Sequence, residues 1–371
     1  MRKHNNIKKY SLHKIDTNKS ENLNQTMPII KSTYQPKGLW RNPHFSTIYP
    51  SVFRKVEGVH YTRERMELSD GDFLDLDWSF AENIAFNKSA ILKVETLIKP
   101  NNKLAIFTHG FLGNTSRPYL LGGVKAFISA GYDALAWNHR GLSGEINRFE
   151  KITIHGSSDE LEEVINHALS KNQYDEIVLV GYSKGGNIAL KYAGEKGGNI
   201  PREIKNIVAI STPTDLQGSV DVMGKDGFYT NRFLKKLTKF LHNRKELIDS
   251  EVFKDFKKFQ YLDDYSDNYI APLHGFKDGR EYYDSCSAMH VVDKIRVPTL
   301  ILNAQNDPVL SESCSMKEIA QNSDYIFSET PLYGGHCGFY ESNRDGLYWV
   351  DKRIVEFVKL SQAFRPQILQ M

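Results

Sequence analysis

The sequence predicts an α/β fold: a mostly parallel sheet flanked by helices, with a helical cap inserted between late strands. Three observations carry that expectation. Short, mostly apolar runs recur at 103–108, 132–137, 177–180 (this one β-branched), 204–210, 297–302 and 325–330, and a strand covered by helices on both faces has no polar side to show. Helix-forming segments alternate with these runs, as at Leu161, Val164, Ile165, Ala168 and Leu169. From about 211 to 294 the strand signal stops, and Phe233, Leu234, Leu237, Phe240 and Leu241 fall at helical spacing among Lys235, Lys236, Lys239 and Arg244.

Composition sets the class. The 371 residues, 40% hydrophobic and 25% charged, can bury a large core. The three cysteines, Cys286, Cys314 and Cys337, are sparse and odd in number and show no CxxC spacing. Neither a disulfide framework nor a cysteine zinc site is expected, and a reduced cytoplasmic setting is. No run reaches the ~18 apolar residues of a membrane span, so stable membrane insertion is not expected. A net charge of +3 is too small to imply a nucleic-acid partner, and residues 1–36 hold seven Lys/Arg against two Asp/Glu. That basic, Asn- and Ser-rich stretch is expected to be a flexible tail. Residues 37–371 would then form one domain, with the cap at about 213–292.

In chain order, 38–50 mixes aromatics with prolines and shows no strong helix or strand period, so it is expected to pack on the domain surface. His44, beside Pro43, reads as a structural hydrogen bonder rather than a base. The alternating runs 61–68 and 73–80 flank Ser69-Asp70-Gly71-Asp72, a hairpin signal, and should add an antiparallel edge. Strand 103–108 runs into His109-Gly110-Phe111-Leu112-Gly113, a glycine-bearing loop where the Phe111 N–H is a candidate oxyanion donor. After 132–137 comes Asn138-His139-Arg140-Gly141, and then Ser157-Ser158-Asp159-Glu160, which reads as a capping box.

The centre of the chain is 176–193. Its apolar strand leads into Gly181-Tyr182-Ser183-Lys184-Gly185 and at once into a helix. A G-x-S-x-G match alone arises by chance in on the order of one chain in ten of this length. Flanked by strand and helix, however, it has the form of a nucleophile elbow, with Ser183 at the apex and the Lys184 N–H at a helix N-terminus. Aromatics then crowd the cap, as expected of a channel for apolar acyl or alkyl groups, although more than half should belong to the cap's own core.

Strand 297–302 ends in Asn306-Asp307-Pro308, and strand 325–330 is followed by Gly334-Gly335-His336-Cys337-Gly338. Ser183, Asp307 and His336 therefore each follow a strand, in the order of a serine hydrolase triad. Asp264, Asp284 and Asp293 remain alternative acids, and His139 and His290 alternative bases. Cys337 reads as filler. No phosphate loop, dinucleotide fingerprint or metal-spaced histidine cluster is present, so no cofactor or metal is expected.

With these residues in hand, the chain from about 40 to 357 resembles the YheT-like branch of the α/β-hydrolase superfamily, which includes ABHD-type esterases and acylglycerol lipases. The resemblance rests on Asn42-Pro43-His44 with Thr47, His109-Gly110-Phe111, Asn138-His139-Arg140-Gly141, the Ser183 elbow, Tyr282-Tyr283-Asp284, Asn306-Asp307-Pro308 and Gly334-Gly335-His336. It implies a carboxylic ester hydrolase, with Ser183, Asp307 and His336 as catalytic residues and a small-molecule or lipid ester as substrate. An acyltransferase using the same acyl-enzyme, and a ligand-binding receptor with an idle triad, are the rival expectations. The acyltransferase pattern H-x-x-x-x-D is absent, since Glu341 stands five places after His336.

Overall fold

The computed structural model describes residues 28–81, 101–171, 173–225, 227–342 and 345–368. Among the described residues nine strands form one sheet: β1 Ile29–Ile30, β2 Thr62–Glu67, β3 Phe73–Ser79, β4 Lys103–Thr108, β5 Asp133–Trp137, β6 Glu176–Tyr182, β7 Ile204–Ile210, β8 Thr299–Leu302 and β9 Ile326–Glu329. Their order across the sheet is β1-β9-β8-β7-β6-β4-β5-β3-β2. Every pairing is parallel except β2 with β3 and β3 with β5. The hairpin read at 61–80 is thus the antiparallel margin.

The central strands divide their side chains between two apolar layers, as period-two alternation requires. Leu104, Ile106, Leu179 and Ile207 pack with Leu161, Val164 and Ile165 of α3 (Ser158–Ser170) and with Ile188 and Ala189 of α4 (Lys184–Lys196). Ala105, Phe107, Val180 and Ile210 face the other way, onto Val124 and Phe127 of α2 (Pro118–Ser129) and Ile354 and Val358 of the last helix, Trp349–Ile368.

Between β7 and β8 the chain is helical: α5 Leu216–Met223, α6 Phe228–Asn243, α7 Ser250–Asp255, α8 Leu262–Tyr265, α9 Ala271–His274 and α10 Gly279–Cys286. These helices form their own apolar cluster, in which Leu237, Leu241, Phe256 and Tyr269 meet Leu112 and Ile152 from loops at the carboxyl edge of the sheet.

Three expectations need correction. The tail does not extend to residue 36. Residues 1–27 lie outside the described residues, but Ile29–Ile30 pairs with Ser328 and Glu329, and buried Tyr34 packs on Phe339 and Trp349. Second, Pro43–Phe53 is a helix, α1, although it carries Pro50 within it. Asn42 caps it by accepting the Phe45 N–H at 2.9 Å, and Pro43 takes the first position, where no N–H is needed. Third, no capping box forms at 157–160. Ser157 Oγ accepts the Ile154 N–H instead, and the Glu160 carboxylate turns to Arg140 and Thr153.

That turn has a reason. Arg140, with a side chain only 1% exposed, meets Asp72 and Glu160, both equally buried, and the Asp70 carboxylate at 2.7 Å. One guanidinium thereby joins the β2–β3 turn, the end of β5 and the start of α3.

Candidate active site

The elbow is built by backbone strain at one residue. Ser183 has φ 54° and ψ −122°, between β6 and α4, and its N–H donates to the Ile210 carbonyl at 2.8 Å. Such a tight reversal demands bare neighbours. A Cβ on Gly185 would lie 2.2 Å from the Thr108 carbonyl oxygen, and one on Gly181 would lie 2.3 Å from the Gly185 oxygen. Ser183 is one of five non-glycine residues with positive φ among those described; the others are Leu112, Ser211, Cys337 and Phe339. All five sit in loops that leave the carboxyl ends of strands, where stored strain and function coincide.

Those loops bring the three sequence-derived residues together. His336 Nε2 lies 2.9 Å from Ser183 Oγ, and His336 Nδ1 lies 2.9 Å and 3.1 Å from the two Asp307 carboxylate oxygens. The carboxylate lacks a proton to give, so Nδ1–H donates to it and Nε2 is left to accept the serine O–H. Asp307, 1% exposed at its side chain, also accepts the Val309 N–H at 2.9 Å.

The alternatives go elsewhere. Asp264 accepts the Gln260 and Tyr261 N–H groups, Asp284 meets His290 on the surface, and Asp293 is exposed in a short 3₁₀ turn. His139 is fully buried against His109, ring centroids 3.7 Å apart. Burial pushes the Cys337 thiol well up, and its N–H donates to Ser211 Oγ at 2.9 Å, so it packs rather than reacts.

The histidine loop is held from the far end of the chain. The His336 N–H donates to Thr47 Oγ at 2.9 Å, and the Thr47 hydroxyl donates to the Pro43 carbonyl at 2.7 Å. Asn306 accepts the Gly335 N–H at 3.1 Å and donates to the Arg41 carbonyl at 3.0 Å. His44 acts as a hydrogen bonder, to the Tyr229 hydroxyl at 3.0 Å. Thr47→Val keeps the shape of the side chain and removes the acceptor. We expect kcat for an ester to fall about 10- to 100-fold with a change in thermal midpoint of a few degrees, read from steady-state kinetics and a melting curve.

Of the two oxyanion candidates, Lys184 follows Ser183 in the chain and Phe111 lines the same space as Ser183, and neither the Phe111 nor the Lys184 N–H has a hydrogen-bond partner among the described residues. His109, which opens that glycine-bearing loop, has a definable task. Its Nε2 accepts the His139 N–H at 3.1 Å, so its Nδ1 carries the proton and donates to the Gly110 carbonyl at 2.8 Å. That bond turns the Gly110–Phe111 peptide so that the Phe111 N–H points the opposite way. Burial pushes His109 down to about 3, which keeps the ring neutral.

The Lys184 side chain runs inward, and its Nζ donates to the Thr153 carbonyl. Burial pushes it down to about 7. With the folded value below the unfolded one, the unfolded chain binds more protons between those two values, so stability rises with pH there. From pH 7 to 9 wild type should gain stability over Lys184→Met by up to about 1.4 kcal/mol per pH unit, measured by urea unfolding of both.

Two hollows meet at the serine. One, of about 590 Å³ to its open mouth, lies under the cap and is walled by Leu216, Val220, Leu262, Tyr265 and Tyr282. The other, of about 790 Å³, runs past His336 and is walled by Thr47, Tyr119, Tyr229, Arg232 and Lys236. Phe111, Ser183, Phe233 and Val309 belong to both. Most cap aromatics singled out in the sequence fill the cap itself.

A family model described as alpha/beta hydrolase fold matches residues 105–342. The YheT protein of Escherichia coli (strain K12) is 29% identical over 326 residues, covering 85% of this chain and 90% of its own. Monoacylglycerol lipase ABHD2 of Homo sapiens is 26% identical over 371 residues, covering 92% and 83%. Among solved structures, the Pyrococcus furiosus esterase Pf2001 superposes with a TM-score of 0.50 at 13% identity, over 82% of this chain and 95% of its own, which speaks to the fold alone. Among the described residues, no helix is long and apolar enough to cross a membrane.

Proposed function

The chain belongs to the α/β-hydrolase family, in its YheT- and ABHD-type branch, and from that premise we propose a serine carboxylesterase that works through an acyl-enzyme on Ser183. His336 takes the serine proton as Oγ attacks the ester carbonyl carbon. The tetrahedral oxyanion forms against the N–H groups of Phe111 and Lys184, where each donor is worth about 10² to 10³ in rate. Asp307 holds the imidazole in the required tautomer and stabilises its charged form. His336 then protonates the departing alcohol, and water, activated by the same ring, releases the acid.

The observation that carries this reading is His336 lying 2.9 Å from both Ser183 Oγ and an Asp307 oxygen. The lipase named among the relatives supports an ester of a fatty acid, and the apolar hollow suits its acyl chain. Three free buried thiols suit a reducing, cytoplasmic setting.

A fluorophosphonate provides the test. The intact protein should gain the mass of one phosphonyl group, on a peptide containing Ser183, and should hydrolyse p-nitrophenyl butyrate until labelled. Protein that is folded but neither labels nor turns over the ester would leave the receptor reading, with an idle triad, in its place.

A further inference from the structure

The second hollow carries a charge pattern that ester cleavage does not use. Arg117, Arg232 and Lys236 all line it, together with Ser183 and His336. Arg232 and Lys236 stand one turn apart on α6, a like-charged pair on one helix face, which is unfavourable in itself. The Arg117 guanidinium reaches one neutral partner, the Leu112 carbonyl at 3.5 Å. Among the described residues, no carboxylate forms an ion pair with any of the three. Asp307, the carboxylate of the triad, is taken by His336. All three cations are half-buried. Burial pushes Lys236 down to about 8, and Arg117 and Arg232 push the same way. Three positive charges gathered in a partly desolvated cleft repel one another until an anion joins them.

The two hollows divide a substrate at the serine. The one under the cap is apolar and takes a hydrocarbon chain, so the cationic one takes what leaves. Resting on the esterase reading above, we infer that the alcohol side of the substrate carries a phosphate, which Arg117, Arg232 and Lys236 hold while Ser183 attacks the ester carbonyl. A phosphate suits this set because its terminal oxygens accept two guanidinium forks and an ammonium at once. In the acylation step the ester C–O bond breaks and the acyl carbon stays on Ser183 Oγ. The proton that His336 took from the serine goes to the alcohol oxygen. The phosphorylated alcohol departs with its own charge unchanged.

The test compares 1-octanoylglycerol with 1-octanoylglycerol 3-phosphate, both below their micelle concentrations, with p-nitrophenyl butyrate as an uncharged reference. In wild type, kcat/KM for the phosphorylated ester should exceed that for its neutral twin at least about tenfold at low salt, and the ratio should shrink as salt rises toward 0.5 M. In R232Q/K236Q the ratio should fall to about one. Glycerol 3-phosphate should compete in wild type where glycerol does not.

A wild-type ratio near one at low salt overturns the inference, and so does a double variant that keeps the wild-type ratio. Inorganic phosphate competing as strongly as glycerol 3-phosphate also overturns it, because the site would then hold a free anion rather than a leaving group. The competition and salt arms use wild type alone, so they stand even if the variant fails to fold. Failure to turn over p-nitrophenyl butyrate sinks the esterase reading itself. Turnover of that ester without a phosphate preference sinks only this inference.

Discussion

Ser183→Ala will lower kcat for p-nitrophenyl butyrate by about 10⁴-fold or more, with KM and thermal midpoint close to wild type. The effect is this large because the three residues act as one unit. Without Oγ there is no bond to make, and neither His336 nor the two N–H donors can supply a nucleophile. The residue at 183 must keep a positive φ, and alanine bears that strain about as well as serine, so the elbow survives. Loss of activity together with loss of fold would point to a structural role for the hydroxyl. Wild-type activity in the folded variant would remove Ser183 from the chemistry altogether.

Arg140→Met will cost about 4 kcal/mol of stability, and the thermal midpoint should drop by roughly 6 °C. Methionine fills much of the arginine's volume, so the loss is electrostatic. It strands Asp72 and Glu160, which have almost no exposed side-chain surface, and removes the cation that faces Asp70. Burial alone would raise the Asp72 carboxyl. Its bonds to Asn147, Arg148 and Phe73 and the charge of Arg140 instead hold it below the usual carboxylate range. In wild type its contribution is therefore present above the unfolded value and is lost as pH falls through the depressed one. In the variant the stranded carboxyls shift upward, so the penalty should be largest near pH 7 and ease toward pH 5. Parallel urea titrations at the two values check both magnitude and sign. A loss below about 1 kcal/mol would mean that the three carboxylates find other partners.

The parallel core was legible because β4, β5, β6 and β7 are buried on both faces along most of their length and therefore read as mostly apolar runs, broken inside β7 by Lys205 and Asn206. The triad was legible too, since each member sits on a loop straight after a strand and two of the three are marked by glycines. What escaped was set by contacts distant in sequence. Asn42 followed by Pro43 is a usable helix start, but Pro50 and the aromatics hid the period of α1. Ser157 and Glu160 have the spacing of a capping box, and only the fold brings Arg140 within reach to claim the glutamate. Ile29–Ile30 is too short to announce a strand, and it becomes one only because the edge of β9 is open beside it. The unpaired cations of the second hollow could not be read from sequence either, because Arg117 lies more than a hundred residues before α6.

The bond from the His336 N–H to Thr47 spans 289 positions, and its consequence concerns the order in which a working enzyme comes into being. A chain that has paired β2 through β9 and buried the elbow is still inert until its first fifty or so residues dock on the His336 loop, a closure that carries the entropy cost of joining distant segments. Catalytic competence in this molecule therefore marks the end of folding rather than the presence of its parts.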